Sequence, residues 1–309
     1  MPDMTVFTPL TDDDIQALLD QHGLTLLGQQ PISEGIENSN FMLQARRQNG
    51  IPVALVLTVF ESLGEKDLPW FIDLLQHLAH AGLPVAAPLG REHALMTTKG
   101  KSALLVPRLS GRHVQQPTAN QCATLGSFLA RLHRQTLPPA GPAPDPTQQL
   151  DRLVAAHLQK LPADDQALAR TLLARWQTRA PAPVLCHGDL FRDNVLFNGE
   201  QLSGVLDFYN AGAASAEFDL AVTMNDWCVN ENGQPDVTRE TALVDGYQHI
   251  RPLDHAARTR LPLALAIAAL RFWLSRLGAP EHEGAVGQVH KDPQEFARLF
   301  ALRARALGP

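Results

Sequence analysis

Strand-like runs recur among helices in the first 107 residues, fade after Gly111, and return once, in VLCHGDLFRDNVLFNGEQLSGVLDFYN at 184–210. That distribution constrains the fold more than any other feature. Strands are predicted at 40–44, 53–60, about 93–97 and 103–107, with Gln48-Asn49-Gly50 as a hairpin turn between the first two. Thr11, ahead of Asp12, Asp13 and Asp14 and then Ile15, Leu18 and Leu19, reads as a capped amphipathic helix. A second helix over 68–81 stops at Gly82. Beyond Gly111 the period becomes helical, and Cys122, Leu125, Phe128, Leu129 and Leu132 form one stripe across 120–135. The proline-rich stretch 137–145 is a loop, and helices resume through Arg179 and again from Ala216. The fold class is α+β with two lobes: a small β-rich lobe over 1–107, a larger α-rich lobe over 108–309, and a hinge at about 106–111.

Composition narrows the function. Of 309 residues 45% are apolar, enough for a sizeable core. The 26 Lys and Arg against 32 Asp and Glu argue against a nucleic-acid surface. Cys122, Cys186 and Cys228 form no CxxC pair, so neither a zinc knuckle nor a disulfide framework is supported, and a reducing, cytoplasmic setting fits. The first residues lack the basic and apolar regions of a signal peptide. The longest apolar run, 261–270, ends at Arg271 and is too short to span a bilayer, so it is expected to be a core helix. Small-molecule substrates remain, with no nucleic acid or membrane partner.

Carboxylates beside strand-forming residues are costly unless something compensates them. In 184–210 a strand at 184–186 enters His187-Gly188-Asp189, a second strand lies at 195–197 and a third at 204–207, with Asn198-Gly199 turning the chain. Asn194 and Asp207 then sit at the same end of a hairpin, and Asp189 sits on the loop entering it. Such an oxygen set suits Mg²⁺. Asp207 and Asn194 are the metal candidates, and Asp189 is left to deprotonate a hydroxyl nucleophile, the division of labour that phosphoryl transfer requires. His187 is expected to hold the loop by hydrogen bonds, Asp193 to be a loop or capping acid, and Asp219 to fix the catalytic loop.

HisGlyAsp-x-x-x-x-Asn followed by AspPheTyr resembles the catalytic and metal loops of the aminoglycoside-phosphotransferase-like kinases, distant relatives of protein kinases. The helix 125–133 and the segment 103–111 resemble that family's preceding helix and interlobe hinge. Within it, GlyIleGluAsnSerAsnPhe (35–41), ValLeuThrValPheGlu (56–61), HisGlyAspLeuPheArgAspAsnValLeuPhe, AspPheTyrAsnAla, AsnAspTrpCys and ArgPheTrpLeuSerArgLeu are similar to the bacterial homoserine kinases of this fold. The resemblance implies a protein-kinase-like two-lobed fold, ATP and Mg²⁺ as cofactors, and phosphorylation of the L-homoserine hydroxyl toward threonine. The alternatives are a kinase for another alcohol, such as choline, an amino sugar or an aminoglycoside, and a non-catalytic nucleotide-binding module.

The chain departs from the wider pattern at one point. The strand lysine that clamps phosphates in protein kinases falls at Thr58, and its helix glutamate falls near Phe71 or Ile72. Loss of both together is consistent, since either charge alone would be uncompensated. The loop with Gly35, Asn38, Ser39 and Asn40 is assigned to the phosphates through backbone N–H groups, and Pro107 and Leu109 of the hinge to the nucleotide. Arg192 is the preferred cation for the γ-phosphate, with Lys101 as a second candidate. For homoserine, Asp226 is assigned to the ammonium, Arg271 or Arg276 to the carboxylate, and Tyr209 to the substrate side.

Overall fold

A computed structural model of the chain describes residues 8–32, 38–90, 94–138, 143–178, 181–278 and 292–308. They divide into two compact units, with the change after Leu109. In the first unit, α1 (Asp12–Asp20) is followed by β1 (Leu24–Ile32), β2 (Asn38–Arg47), β3 (Pro52–Phe60), α2 (Leu68–His80), β4 (Met96–Thr98) and β5 (Lys101–Pro107). The strands make an antiparallel sheet in the order β1-β2-β3-β5-β4. The capping box at Thr11 and Asp14 forms as the sequence predicts. Gly50, at φ 85, makes the hairpin turn between β2 and β3.

Strand β1 carries no clean alternation of apolar residues and is not predicted from the sequence. It pairs with β2 over its whole length, with a register shift between Leu26 and Gly28. The strand predicted near 93–97 is the shorter β4, and His93 lies outside the described residues.

Period two decides which way the sheet's side chains point. Phe41, Leu43 and Ala45 of β2, Leu55, Leu57 and Val59 of β3, and Ala103 and Leu105 of β5 form a core with Ile15, Leu18 and Leu19 of α1. Asn40, Met42, Val56, Thr58 and Val106 take the opposite, half-buried face.

The second unit contains α3 (Ala119–Leu132), α4 (Pro146–His157), α5 (Ala163–Gln177), β6 (Val184–Cys186), β7 (Val195–Asn198), β8 (Gln201–Val205), β9 (Gly212–Ala214), α6 (Ala216–Trp227), α7 (Val237–Ile250), α8 (His255–Gly278) and α9 (Pro293–Arg305). Helix α6 is buried on nearly every side, so its acids Glu217 and Asp219 are buried with it. The predicted apolar run lies within the 24-residue helix α8, which is long and apolar enough to cross a membrane by length and composition alone. Its middle, Leu263 to Leu270, is packed inside the unit, and the helix continues through Arg271 because that guanidinium finds acceptors there.

Candidate active site

Strand β6 pairs with β9, whereas β7 and β8 form their own hairpin. The chain leaves β6 through His187 and Gly188. Gly188 has φ +79, and a Cβ there would come within 2.5 Å of the Asn210 carbonyl oxygen, so the turn requires glycine. Asp189 follows, half-buried, with its amide donating to His187 Nδ1 at 3.2 Å. Its carbonyl accepts from the Phe191 amide at 2.9 Å and from Asn194 Nδ2 at 2.8 Å. The same amide nitrogen lies 3.5 Å from Asp189 Oδ2. With Nδ2 turned toward Asp189, Asn194 Oδ1 is the end that can face a cation.

The hairpin brings Asp207 to the same end. Val195 pairs with Val205, and the ladder continues one step as the Leu206 amide donates to the Asn194 carbonyl at 2.8 Å. Asp207 then takes φ 56, ψ 63. This left-handed conformation ends β8 at Val205, short of the predicted 204–207. It is sterically unfavourable for most residues and best tolerated, after glycine, by Asn and Asp.

His187 ties the two loops together. It is buried, its Nε2 donates to the Leu206 carbonyl at 2.9 Å, and its ring packs on Phe208. Burial holds its pKa below the ordinary value, so the ring is a neutral staple, the holding role the sequence predicts. Asp219 supports the loop from below. Its carboxylate accepts the His187 amide at 2.9 Å and the Gly188 amide at 2.8 Å. Burial alone would raise the Asp219 pKa, but hydrogen bonds from His133 and the Gly188 amide outweigh it, and the group is held below the usual carboxylate range. Asp193 is exposed.

The basic residues assigned from sequence are partnered. Arg192 and Asp226 meet each other: the Arg192 amide donates to Asp226 Oδ2 at 2.7 Å, Nε to Oδ2 at 3.1 Å and Nη2 to Oδ1 at 3.2 Å. Nη1 reaches the Gln115 carbonyl at 2.8 Å. The sequence gives these residues separate ligands, phosphate and ammonium; the structure gives them each other. Burial raises the Asp226 pKa, and Arg192 partly offsets it. Arg271 is buried, with Nη1 donating to the Gly188 carbonyl at 2.6 Å and Nε to Gln149 Oε1 at 3.1 Å. Arg276 pairs with Glu295 at 2.6 Å and lies over the Phe296 ring. Tyr209 lies two residues after Asp207, and burial together with the charge of that carboxylate pushes its phenol pKa up. A cavity of about 570 Å³ runs alongside Arg192, with Val229, Glu231, Arg239, Glu295 and Arg298 among its walls.

In the first unit Gly35 lies outside the described residues. Asn40 accepts a hydrogen bond from Thr58, the residue at the lysine position, at 2.7 Å, and Asn38 Oδ1 accepts the Glu61 amide at 3.3 Å. Ser39 points to the other face, where its hydroxyl donates to Glu61 at 2.6 Å and accepts from the Thr8 amide at 2.9 Å. Lys101 joins that cluster, pairing with Glu61 and donating to Thr8 Oγ1 at 2.7 Å. Ser39, Glu61 and Lys101 thus prolong the three rows of the apolar core, on the face opposite Thr58. Pro107 ends β5 opposite Leu55, and Leu109 follows half-buried.

Lys101→Met is therefore expected to leave KM for ATP within about twofold and to lower the melting temperature by a few degrees, since a part-exposed pair contributes little. Burial works to raise the Glu61 pKa, but hydrogen bonds from Lys101, Ser39 and Thr8 outweigh it and lower it below 4.5. A carboxylate lowered on folding stabilises fully above its ordinary value and loses that contribution as pH falls through the lowered one. Acid scans of the melting temperature should show this loss diminished in Lys101→Met. A large rise in KM for ATP would instead put Lys101 at the phosphates.

Sequence reasoning missed Gln149 and the Glu61 cluster. It placed His133 on a helix without a role. The available signals were polar residues continuing apolar rows, as Glu61 does after Val59, and a histidine following the stripe that ends at Leu132.

A phosphotransferase enzyme family model matches residues 28–253. A homoserine kinase of Pseudomonas aeruginosa strain LESB58 is 39% identical over 323 aligned residues, covering 97% of this chain and 96% of that protein. A homoserine kinase of Ralstonia nicotianae is 37% identical, covering 99% and 97%. Among solved structures, amicoumacin kinase hAmiN in complex with AMP-PNP, Ca²⁺ and Ami superposes with a TM-score of 0.65 at 16% identity, covering 93% of this chain and 88% of that one. A choline/ethanolamine kinase family protein from Mesorhizobium loti gives a TM-score of 0.57 at 20% identity, covering 92% and 87%. At these identities the structural likeness concerns the fold.

Proposed function

Since this chain belongs to the phosphotransferase enzyme family, and within it to the homoserine kinases, we propose a division of labour among Asp189, Asn194 and Asp207 in moving a phosphoryl group from ATP to L-homoserine. The product is O-phospho-L-homoserine, a step toward threonine. The observation that carries the reading is the gathering of these three residues at one end of the β7–β8 hairpin.

Asp189 accepts the proton of the homoserine hydroxyl as that oxygen attacks the γ-phosphorus. Its backbone is held on both sides, so the carboxylate is aimed before substrate arrives. Such positioning, with charge neutralisation, supplies most of the catalysis in phosphoryl transfer. The donor set fits Mg²⁺: one carboxylate, Asp207, and one amide oxygen, Asn194 Oδ1, leave room for phosphate oxygens and water. When bound, the metal neutralises charge on the β- and γ-phosphates.

The half-buried sheet face with Val56, Thr58 and Val106 offers an apolar floor for the adenine, near Pro107 and Leu109. Backbone N–H groups around Gly35, Asn38 and Asn40 are assigned to the phosphates, with Ser39 tying the start of β2 to Glu61. The amino-acid head of homoserine is assigned to the Arg192 side of the loop. There the pairs Arg192–Asp226 and Arg276–Glu295 supply charge of both signs beside the cavity. Tyr209 keeps its proton and can donate to a substrate oxygen. Arg271 braces Gly188.

The test is ADP release with a panel of hydroxyl compounds. Homoserine should be active, with choline and aminoglycosides inactive, and chelation of divalent ions should abolish turnover until Mg²⁺ is restored. Activity only with another alcohol would transfer the assignment, and silence with every compound would favour a non-catalytic module. Arg192→Met and Asp226→Asn should each raise KM for homoserine about tenfold. Their double variant should be little worse than either alone, a coupling of about 0.5–3 kcal/mol. Independent, additive effects would return the two residues to separate ligands.

A further inference from the structure

Hydrogen bonds in series run from α7 to the backbone of the catalytic loop. Arg251 Nη1 donates to Tyr247 Oη at 2.6 Å. Tyr247 Oη lies 2.9 Å from His133 Nδ1, and His133 Nε2 lies 3.0 Å from Asp219 Oδ2. Asp219 then accepts the His187 and Gly188 amides. Arginine can only donate, so the Tyr247 hydrogen is free to go to Nδ1, and Nε2–H is left for the ionised Asp219. One neutral tautomer of His133 satisfies every contact. The His133 and Asp219 side chains are both 0% exposed, so no water substitutes for a lost partner.

The ligand atoms of His133, Cys186 and Asp219 lie within 4.8 Å of one another, a spacing a metal could use. Both ring nitrogens are already engaged, however. Cys186 gives its hydrogen to the Ser215 carbonyl at 3.5 Å, and burial keeps its thiol protonated. The cluster is a hydrogen-bonded framework.

We propose that His133 and Tyr247 are positioning residues for phosphoryl transfer. They orient the Asp219 carboxylate, which in turn fixes Gly188 and so the placement of Asp189. Asp219 Oδ2 has two donors, His133 Nε2 and the His187 amide, while Oδ1 receives Gly188. Without the ring, the carboxylate loses the contact that sets its rotation, and the loop amides lose a fixed acceptor. A displacement near 1 Å at a reacting group can cost about 10²-fold in rate. The helices carry the device in register, because Ser127 Oγ on α3 donates to the Gly246 carbonyl on α7 at 3.0 Å, one residue before Tyr247.

The proposal rests on Asp189 as the base, so Asp189→Asn is assayed in parallel. The variants are His133→Leu, His133→Gln and Tyr247→Phe. Steady-state kcat and both KM values are measured per folded molecule, with the folded fraction taken from near-UV circular dichroism. His133→Leu should lower kcat about 100-fold and leave both KM values within about threefold. His133→Gln, whose amide can donate to Asp219, should recover at least tenfold of that loss. Tyr247→Phe should lose roughly three- to tenfold, on the scale of one neutral hydrogen bond. A purely structural role predicts lower melting temperatures with unchanged kcat per folded molecule, and that result overturns the proposal. Equal activity of the Gln and Leu variants overturns it too. Should His133→Leu not fold, normal kcat in Tyr247→Phe is decisive against it. Full activity in Asp189→Asn would overturn the base assignment instead, an outcome distinguishable from the others.

Discussion

Asp189→Asn is expected to lower kcat for homoserine-dependent ADP release by about 10²–10⁴-fold, the range a positioned general base contributes, with the fold intact. The reason for both halves is local. The carboxylate is half-buried, and the loop is held by backbone groups: the amide on His187 Nδ1 and the carbonyl on Phe191 and Asn194. Asparagine keeps those contacts and the side-chain volume while losing the proton acceptor. Circular dichroism and the melting temperature should therefore match the unmodified protein. KM for ATP should hold as well, since the metal candidates Asn194 and Asp207 are untouched. A variant that kept kcat and raised only KM for homoserine would make Asp189 a substrate contact and place the base elsewhere.

Gly246→Ala is expected to be the most damaging small substitution for stability. Helices α3 and α7 touch backbone to backbone. A Cβ on Gly246 would sit 2.0 Å from the Ala123 carbonyl oxygen, and one on Gly126 would sit 2.0 Å from that of Leu243. Neither neighbour is the movable end of a side chain, so the helices must separate. Overpacking costs about 1–3 kcal/mol and occasionally more, and a rigid contact on this scale belongs at the upper end. For a unit of this size that is roughly 6–12 °C in melting temperature. The displacement also moves Tyr247 from His133, so kcat should fall along with stability. A loss below about 2 °C would mean that the helices cross with slack at these glycines. Gly126→Ala should reproduce the loss, because the two glycines meet the same pair of helices from opposite sides.

How much of this was legible beforehand depends on the range over which each feature is decided. The capping box at Thr11, the hairpin around Gly50, the turn at Gly82 and the strands bracketing 184–205 are settled by neighbours a few residues apart, and period and turn chemistry reveal them. The same holds for Asn194 and Asp207, because one short hairpin joins them. Strand β1 was hidden, since it is a sheet edge whose residues are mostly half-exposed and carry little alternation. The apolar run inside α8 ends at Arg271, and the partners that bury this guanidinium, Gly188 and Gln149, are not visible along the chain.

The chain alone determined the two kinds of architecture, their order, and the placing of an amide and an acid at one end of a hairpin with a further acid on the loop that enters it. The folded molecule decided where the charges went: Arg192 to Asp226, 34 residues away, Arg271 to Gly188 across 83, Lys101 to Glu61 across 40, and Asp219 under the loop with His133. The energy of an ionised group depends on what lies within a few ångströms once water is excluded, and no pattern along the chain encodes those neighbours. Periodicity shows which face a residue occupies, and packing alone supplies its partner.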